Sequence, residues 1–230
     1  VTVYFSLLAV VGSMVYSLIV AMLLNRKIPA RGFFRAVFYL PYVLPAAAVY
    51  IGWSWLYNTE WGLFNYILSK LGIERLMFVS SSSQVVPSLA LLAVWLSGNL
   101  IVIFLAGLQN VPRVYHEAAE IDGANAWQRF WHVTFPSMTP IIFYNMLMSL
   151  ITNMQVVTPA LALTKGGPGK SSYFMSYMLY NYAFKQRGKI GLACAIAFVL
   201  FLLIGAFTLL LFATRKRWIF YEGGADKCAA

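Results

Sequence analysis

Five stretches of this chain, 3–24, 36–57, 85–108, 139–163 and 190–213, each run for more than twenty residues without a single Asp, Glu, Lys or Arg. About twenty mostly apolar residues suffice to cross a bilayer as a helix. The runs are too long for barrel strands and do not alternate with period two. Helices are then the only spanning structure that satisfies the backbone inside lipid. Only 10% of the residues are charged, against about 25% in a soluble domain. A chain so poor in charge cannot cover a water-facing surface. The expected fold is all-α: one polytopic helical membrane domain over 1–230, with no soluble domain to hold a conventional catalytic site.

The net charge of +10 does not indicate nucleic acid. The basic residues sit at the ends of the apolar runs, as in membrane proteins generally, and form no stripe interleaved with stacking aromatics. Their distribution gives an orientation. With 25–35 inside, the inner loops hold Arg26, Lys27, Arg31, Arg35, Arg113, Arg129, Arg215, Lys216, Arg217 and Lys227. The outer side holds Lys70, Arg75, Lys165, Lys170, Lys185, Arg187 and Lys189. Ten against seven is a small bias. The clusters at 25–35 and 215–217 support it, and Lys185–Lys189 opposes it. The two cysteines, Cys194 within a run and Cys228 in the tail, make neither a disulfide nor a metal site. Residues 1–4 lead straight into the first run. That run lacks a charged leader, and Asn25-Arg26-Lys27 stands where a signal-peptide cleavage site would be. The chain is therefore expected to be a piece that has lost one N-terminal span.

Between the third and fourth runs lies a polar loop, 109–138, holding three of the seven acidic residues in Glu117-Ala118-Ala119-Glu120-Ile121-Asp122-Gly123-Ala124. Pro112 suits a first helical position. Residues 113–122 then form about three turns, and Gly123 supplies a left-handed terminus. Asn125 with Gln128 makes a capping-box pattern for a second short helix, and Pro136 is expected to stop or kink that helix before the next run. A short amphipathic helix held between two spans can dock on a partner and transmit its motion.

Within the runs, polar residues are few. Ser6, Gly12, Ser13 and Ser17 read as a packing face. Leu40-Pro41-Tyr42-Val43-Leu44-Pro45 should distort its helix, which is tolerable only against protein or a cavity; Tyr42 there offers a ring and a hydroxyl. Trp53, Trp55, Tyr57 and Trp61 read as an interfacial belt, and Leu63–Leu68 as a short surface helix. Asn99 reads as helix glue more than as a ligand. On 139–163, Asn145, Ser149 and Thr152 recur at four and three residues and share a face, with Asn153 and Gln155 beside it. Five polar residues exceed what helix gluing needs, and neutral amides and hydroxyls suit a neutral, hydroxyl-rich solute. Thr164–Gly169 lacks the Lys-Ser/Thr of a phosphate-binding loop and reads as a turn. Residues 171–184 read as an outer-surface helix, and His116 and His132 as loop residues. The runs hold none of the ionisable groups that ion-coupled carriers need, so energy for uphill transport would enter through the Glu117 loop.

Glu117-Ala118-Ala119, Gly123, Val133 and Phe135-Pro136 keep the spacing of the EAA signature and resemble the permease subunits of bacterial binding-protein-dependent ABC importers. Val133 and Phe135 replace the more usual Ile and Leu. The stretches Asn25–Arg35, Leu40-Pro41-Tyr42, Ala106–Gln109, Asp122-Gly123-Ala124 and Thr164–Gly169 resemble the carbohydrate-uptake branch over nearly the whole chain. The resemblance implies a six-span core with both termini inside, five spans being present here. It implies a second permease subunit, expected as a heterodimer, two cytosolic ATP-binding subunits and an extracytoplasmic solute-binding protein, all in a bacterial cytoplasmic membrane. Glu117, Ala118, Ala119, Asp122 and Gly123 would form the coupling helix. Tyr42, Ser149 and Asn153 would contact the substrate, joined by Asn145 and Thr152 from the polar face. Ala46 stands where relatives often carry a hydroxyl, and no acidic residue lies near Val157. No catalytic residue, metal or cofactor is expected. Two other readings stay open: a permease of this fold for another solute, such as a glycerol phosphate, and a secondary carrier or membrane enzyme. The absence of Arg and Lys within the runs counts against a phosphate.

Overall fold

The computed structural model describes residues 1–26, 28–186, 188–215 and 218–220. Lys27, Arg187, Lys216, Arg217, Lys227 and Cys228 lie outside them. Helix α1 (Thr2–Asn25) is the packing centre and lies against the helices formed by the third and fourth runs. Ala9, Ser13, Ser17 and Ala21 recur every four residues along its buried face. Small side chains let backbones approach closely. A Cβ on Gly12 would come within 2.7 Å of Val94, and the Ser17 and Ser97 hydroxyls are 2.9 Å apart.

The second run is not one straight span. Helices α2 (Arg31–Val43) and α3 (Ala46–Leu56) meet at 98°. Leu44 is extended (φ −67°, ψ 145°), as expected for a residue pushed out of the α region by the following Pro45. The aromatic belt at the far end needs correction. Trp55 and Trp61 are exposed and meet edge to face at 5.8 Å. Tyr57 is fully buried, stacks on Phe78 at 4.8 Å and donates its hydroxyl to the Ser88 carbonyl at 2.8 Å. Trp53 packs into the same cluster. Helix α4 (Leu63–Lys70) follows, its loop pinned by the Asn65 side chain on the Leu76 backbone.

The third run forms α5 (Val85–Trp95) and α6 (Gly98–Asn110), bent by 48° at Leu96–Ser97. Gly98 lies where α6 crosses α2; a Cβ there would stand 2.8 Å from the Phe38 carbonyl. Helices α7 (Arg113–Ile121) and α8 (Ala126–Arg129) occupy the polar loop. From α8 the chain passes without a break through a π-helical turn (Phe130–Thr134) into α9 (Phe135–Met154). Pro136 therefore does not stop the helix. It lies in the first turn of α9, just past the wider π turn. Pro140 leaves the Pro136 carbonyl without its usual N–H, and the Thr139 hydroxyl donates to it at 2.7 Å.

The fourth run also departs from one continuous span. Helix α9 ends at Met154, and a second π turn (Ala160–Thr164) follows Pro159. The glycine-rich stretch after it is a turn, closed by the Ser172 hydroxyl on Thr164 Oγ1 and the Gly167 carbonyl, both at 2.6 Å. Helix α10 (Met175–Tyr180) continues as a π turn to Lys185 and packs on α11 (Ile190–Thr214). Of α11 only Ala193, Ile196 and Leu200 are buried, so most of this apolar helix faces outward. By length and composition, α1 and α11 can each cross a membrane, and four crossings result if each bent pair counts as one. Helix α9 is long enough, but its polar side chains place it outside that set. No strand occurs among the described residues.

Candidate functional site

The loop helix α7 leaves none of its residues buried. Pro112 is its N-cap rather than its first helical residue. The end is a Schellman motif: Ala124 N–H donates to the Ala119 carbonyl at 2.9 Å and Gly123 N–H to the Glu120 carbonyl at 3.0 Å. Gly123 has φ +76°, a conformation that side chains with a Cβ resist. The next turn starts from a complete capping box, with Asn125 Oδ1 accepting from Gln128 N–H at 2.9 Å and Gln128 Oε1 from Asn125 N–H at 2.8 Å. Arg129 pairs with Glu120 and ties the two short helices together.

This geometry leaves one face of α7 outward. Val114, Ala118 and Ile121, spaced at four and three residues, share it, and Val114 and Ile121 are 68% and 87% exposed. Glu117 flanks that face and is exposed, as are Asp122 and Gly123, while Ala119 is half-buried. An apolar strip edged by a carboxylate is chemically suited to a groove on another protein. His116 lies on α7 and His132 in the π turn, not in loops. No group of three or more possible metal ligands occurs among the described residues.

Tyr42, Asn145, Ser149, Thr152 and Asn153 line one cavity of about 360 Å³. Ligand sites commonly run from about 300 to 1,000 Å³. The walls come from α1, α2, α3, α5, α6 and α9. Ser13, near the middle of α1, marks its depth, so the cavity lies about halfway along a helix of roughly 36 Å. Every lining side chain is uncharged.

The polar wall is a pair of ladders on α9, Asn145–Ser149–Asn153 and Tyr144–Met148–Thr152. Asn153 Nδ2 donates to the Ser149 carbonyl at 2.8 Å and reaches Ser149 Oγ at 3.2 Å. That leaves the Ser149 proton and the Asn153 carbonyl oxygen for another partner. The Thr152 hydroxyl back-bonds to the Met148 carbonyl at 2.9 Å and can still accept. Asn145 is 1% exposed, and neither its Nδ2 nor its Oδ1 has a partner among the described residues. Such a group costs about 1–3 kcal/mol if left unpaired. The cavity thus offers alternating donors and acceptors, which a sugar hydroxyl can satisfy by doing both.

Sequence reasoning missed part of this wall. Gln155, expected beside the polar face, is not part of the lining, whereas Ser13, Tyr50, Ser97, Asn99 and Tyr144 are. Tyr144 was findable from the second four-residue ladder. Ser13 and Ser97 are indistinguishable by sequence from helix-packing residues, since Ser97 also bonds Val94 and Ser17.

Residues 13–218 match the family described as binding-protein-dependent transport system inner membrane component. Among curated relatives, the probable ABC transporter permease protein YesP of Bacillus subtilis is 37% identical over 211 residues, which cover 90% of this chain and 68% of the relative. The trehalose/maltose transport system permease protein MalF of Thermococcus litoralis is 32% identical, covering 91% and 70%. The multiple sugar-binding transport system permease protein MsmF of Streptococcus mutans is 36% identical, covering 94% and 74%. The fold matches a chain of a bacterial alginate ABC transporter, solved in complex with an alginate pentasaccharide-bound periplasmic protein. That match has a TM-score of 0.80 at 20% identity and covers 94% of this chain and 76% of the other.

Proposed function

Because this chain belongs to the binding-protein-dependent transport system inner membrane component family, we propose that it forms half of the translocation pathway of an ATP-driven sugar importer. It crosses the bacterial cytoplasmic membrane several times and performs no chemistry itself. A second permease subunit, two cytosolic ATP-binding subunits and an extracytoplasmic solute-binding protein complete the machine. The observation that carries this reading is helix α7, an unburied amphipathic helix that leaves Val114 and Ile121 bare between two membrane helices. Exposed apolar area in this pattern is what helix-in-groove docking uses. Glu117, Ala118, Ala119, Asp122 and Gly123 seat in the ATPase groove.

Tyr42, Asn145, Ser149, Thr152 and Asn153 contact the solute. The uncharged lining and the sugar permeases among the relatives support a neutral saccharide over a glycerol phosphate. An anion would call for Arg or Lys in the cavity. The test is purification of the complete transporter through this subunit, followed by ATPase assays with binding protein and candidate sugars. A co-purifying ATPase stimulated by a loaded binding protein is expected, and Glu117→Arg should abolish the stimulation in an inserted subunit. A subunit that comes out alone, or a charge-reversed variant that transports normally, would overturn the assignment.

A further inference from the structure

The loop between α1 and α2 carries a second polar constellation that neither the coupling helix nor the cavity uses. Arg31 and Arg35 lie one turn apart on α2. With the Gln109 amide oxygen facing them, that one atom accepts from Arg35 Nη2 at 2.9 Å and from Arg31 Nη2 at 3.0 Å. Arg31 Nε also donates to the Leu24 carbonyl at 2.6 Å, and its Nη2 lies 3.4 Å from Asn25 Oδ1. Arg35 Nε is buried and has no partner among the described residues. Two guanidinium groups thus converge on one neutral oxygen.

Among the described residues no carboxylate pairs with them. Among the described residues the one ion pair is Arg129 with Glu120. The other described acidic residues, Glu60, Glu74, Glu117 and Asp122, belong to α4 and its flanks or to the coupling segment. Arg26, just before this loop, adds a further exposed positive charge. Both Arg31 and Arg35 are half-buried, so water alone screens them poorly. The same helix turn presents apolar surface: Phe33 and Phe34 meet edge to face at 5.9 Å and are 67% and 42% exposed. A half-buried double positive charge beside exposed aromatic rings, at the end of two membrane helices, matches one ligand chemistry. It needs an anionic oxygen cluster on an apolar tail.

We propose that Arg31 and Arg35 bind the phosphate of an anionic phospholipid from the cytoplasmic leaflet, with Phe33 and Phe34 against its acyl chains. Basic pockets between membrane helices on that side hold such headgroups by charge-assisted, often bidentate bonds. The site clamps Gln109, the penultimate residue of α6, so the lipid would brace the helix end from which α7 departs. The proposal rests on the permease reading only for placing this end at the cytoplasmic face.

The test is native mass spectrometry of the complete transporter, extracted in mild detergent and titrated with phosphatidylglycerol and with phosphatidylcholine. Phosphatidylglycerol should be retained in preference. Each basic residue near an anionic surface contributes a factor of about five in affinity, so Arg31→Gln with Arg35→Gln should weaken retention roughly twenty-five-fold. Arg215→Gln, whose guanidinium lies over the Phe212 ring at 5.4 Å instead, should leave it unchanged. Equal retention of both lipids by the wild type overturns the proposal without any variant having to fold. So does equal loss with Arg215→Gln, which would mean diffuse surface charge. Displacement of the lipid by millimolar inorganic phosphate would make this a soluble-anion site. Loss of the ATPase subunits with the lipid retained would assign the arginines to a protein partner. Failure of the permease reading is read separately, from the absence of any co-purifying ATPase.

Discussion

Substituting Gly98 by Ala tests how closely α2 and α6 must approach to form the cavity wall. The added Cβ would stand 2.8 Å from the Phe38 carbonyl oxygen, 3.1 Å from Tyr39 Cα and 3.2 Å from Tyr42 Cβ. The first two are backbone atoms and cannot rotate away. Restoring the shortest contact to an ordinary 3.4 Å requires α2 to retreat by about 0.6 Å. Overpacking of this kind costs about 1–3 kcal/mol. Ala recovers at most about 1 kcal/mol of helix propensity, and less at the first position of α6, where Gly98 sits. The net loss is then about 1–2 kcal/mol. The same retreat carries Tyr42 away from the cavity, so the sugar concentration for half-maximal uptake should rise while assembly persists. The assay is a thermal scan of the detergent-purified transporter together with uptake in proteoliposomes. Gly205→Ala is the control, because its Cβ meets nothing within 4 Å. Wild-type stability and half-saturation in Gly98→Ala, or equal damage from Gly205→Ala, would refute the need for close approach.

Gly123→Val should abolish vesicle uptake in an assembled transporter. A Cβ there meets no atom within 4 Å, so the intrachain cost is chiefly that of the left-handed backbone, about 1–2 kcal/mol. A loss no greater than about thirtyfold, all that such a cost accounts for, would mean the turn touches no partner. Asn145→Leu should raise the thermal midpoint by removing two unpaired buried amide atoms, yet lower uptake; a destabilised variant would show that Asn145 is satisfied by something structural. Asn125→Ala removes the capping box at about 1 kcal/mol and should weaken co-purification of the ATPase, measured by pull-down at rising salt. Unchanged capture would detach that turn from coupling.

The shape of the polar loop was legible because its determinants are local. Gly123, Asn125 and Gln128 act within a turn of themselves, and each is found in the geometry its side chain favours. The polar face of α9 was legible for a similar reason, being a matter of spacing on one helix. The other walls of the cavity were not. Ser13, Tyr50 and Asn99 reach it from three different helices, and nothing in their own neighbourhoods distinguishes them from packing residues. Apolar runs also mislead about continuity, because they measure compatibility with lipid and not the hydrogen bonds of a helix. Residues 139–163 stay apolar beyond Met154, yet the regular helix ends at Met154, and Pro159 has no N–H with which to bond the Gln155 carbonyl and carry it on. Aromatic residues near a span end look alike whether they meet lipid or core. Tyr57 belongs to the core because the Ser88 carbonyl awaits its hydroxyl.

The unbroken path from α8 through the π turn into α9 has a mechanical consequence. From Ala126 to Met154 the chain is one unbroken helical path about 43 Å long. Its lower end begins at the capping box beside α7, and its upper end carries Asn145, Ser149 and Asn153. On the function proposed above, a push delivered at the lower end would reach the cavity-lining amides along this single helical path. Pro136, Pro140 and the π turn mark the places where such a path bends. On that reading, the grip on the sugar and the turning of the pathway would change in the same movement.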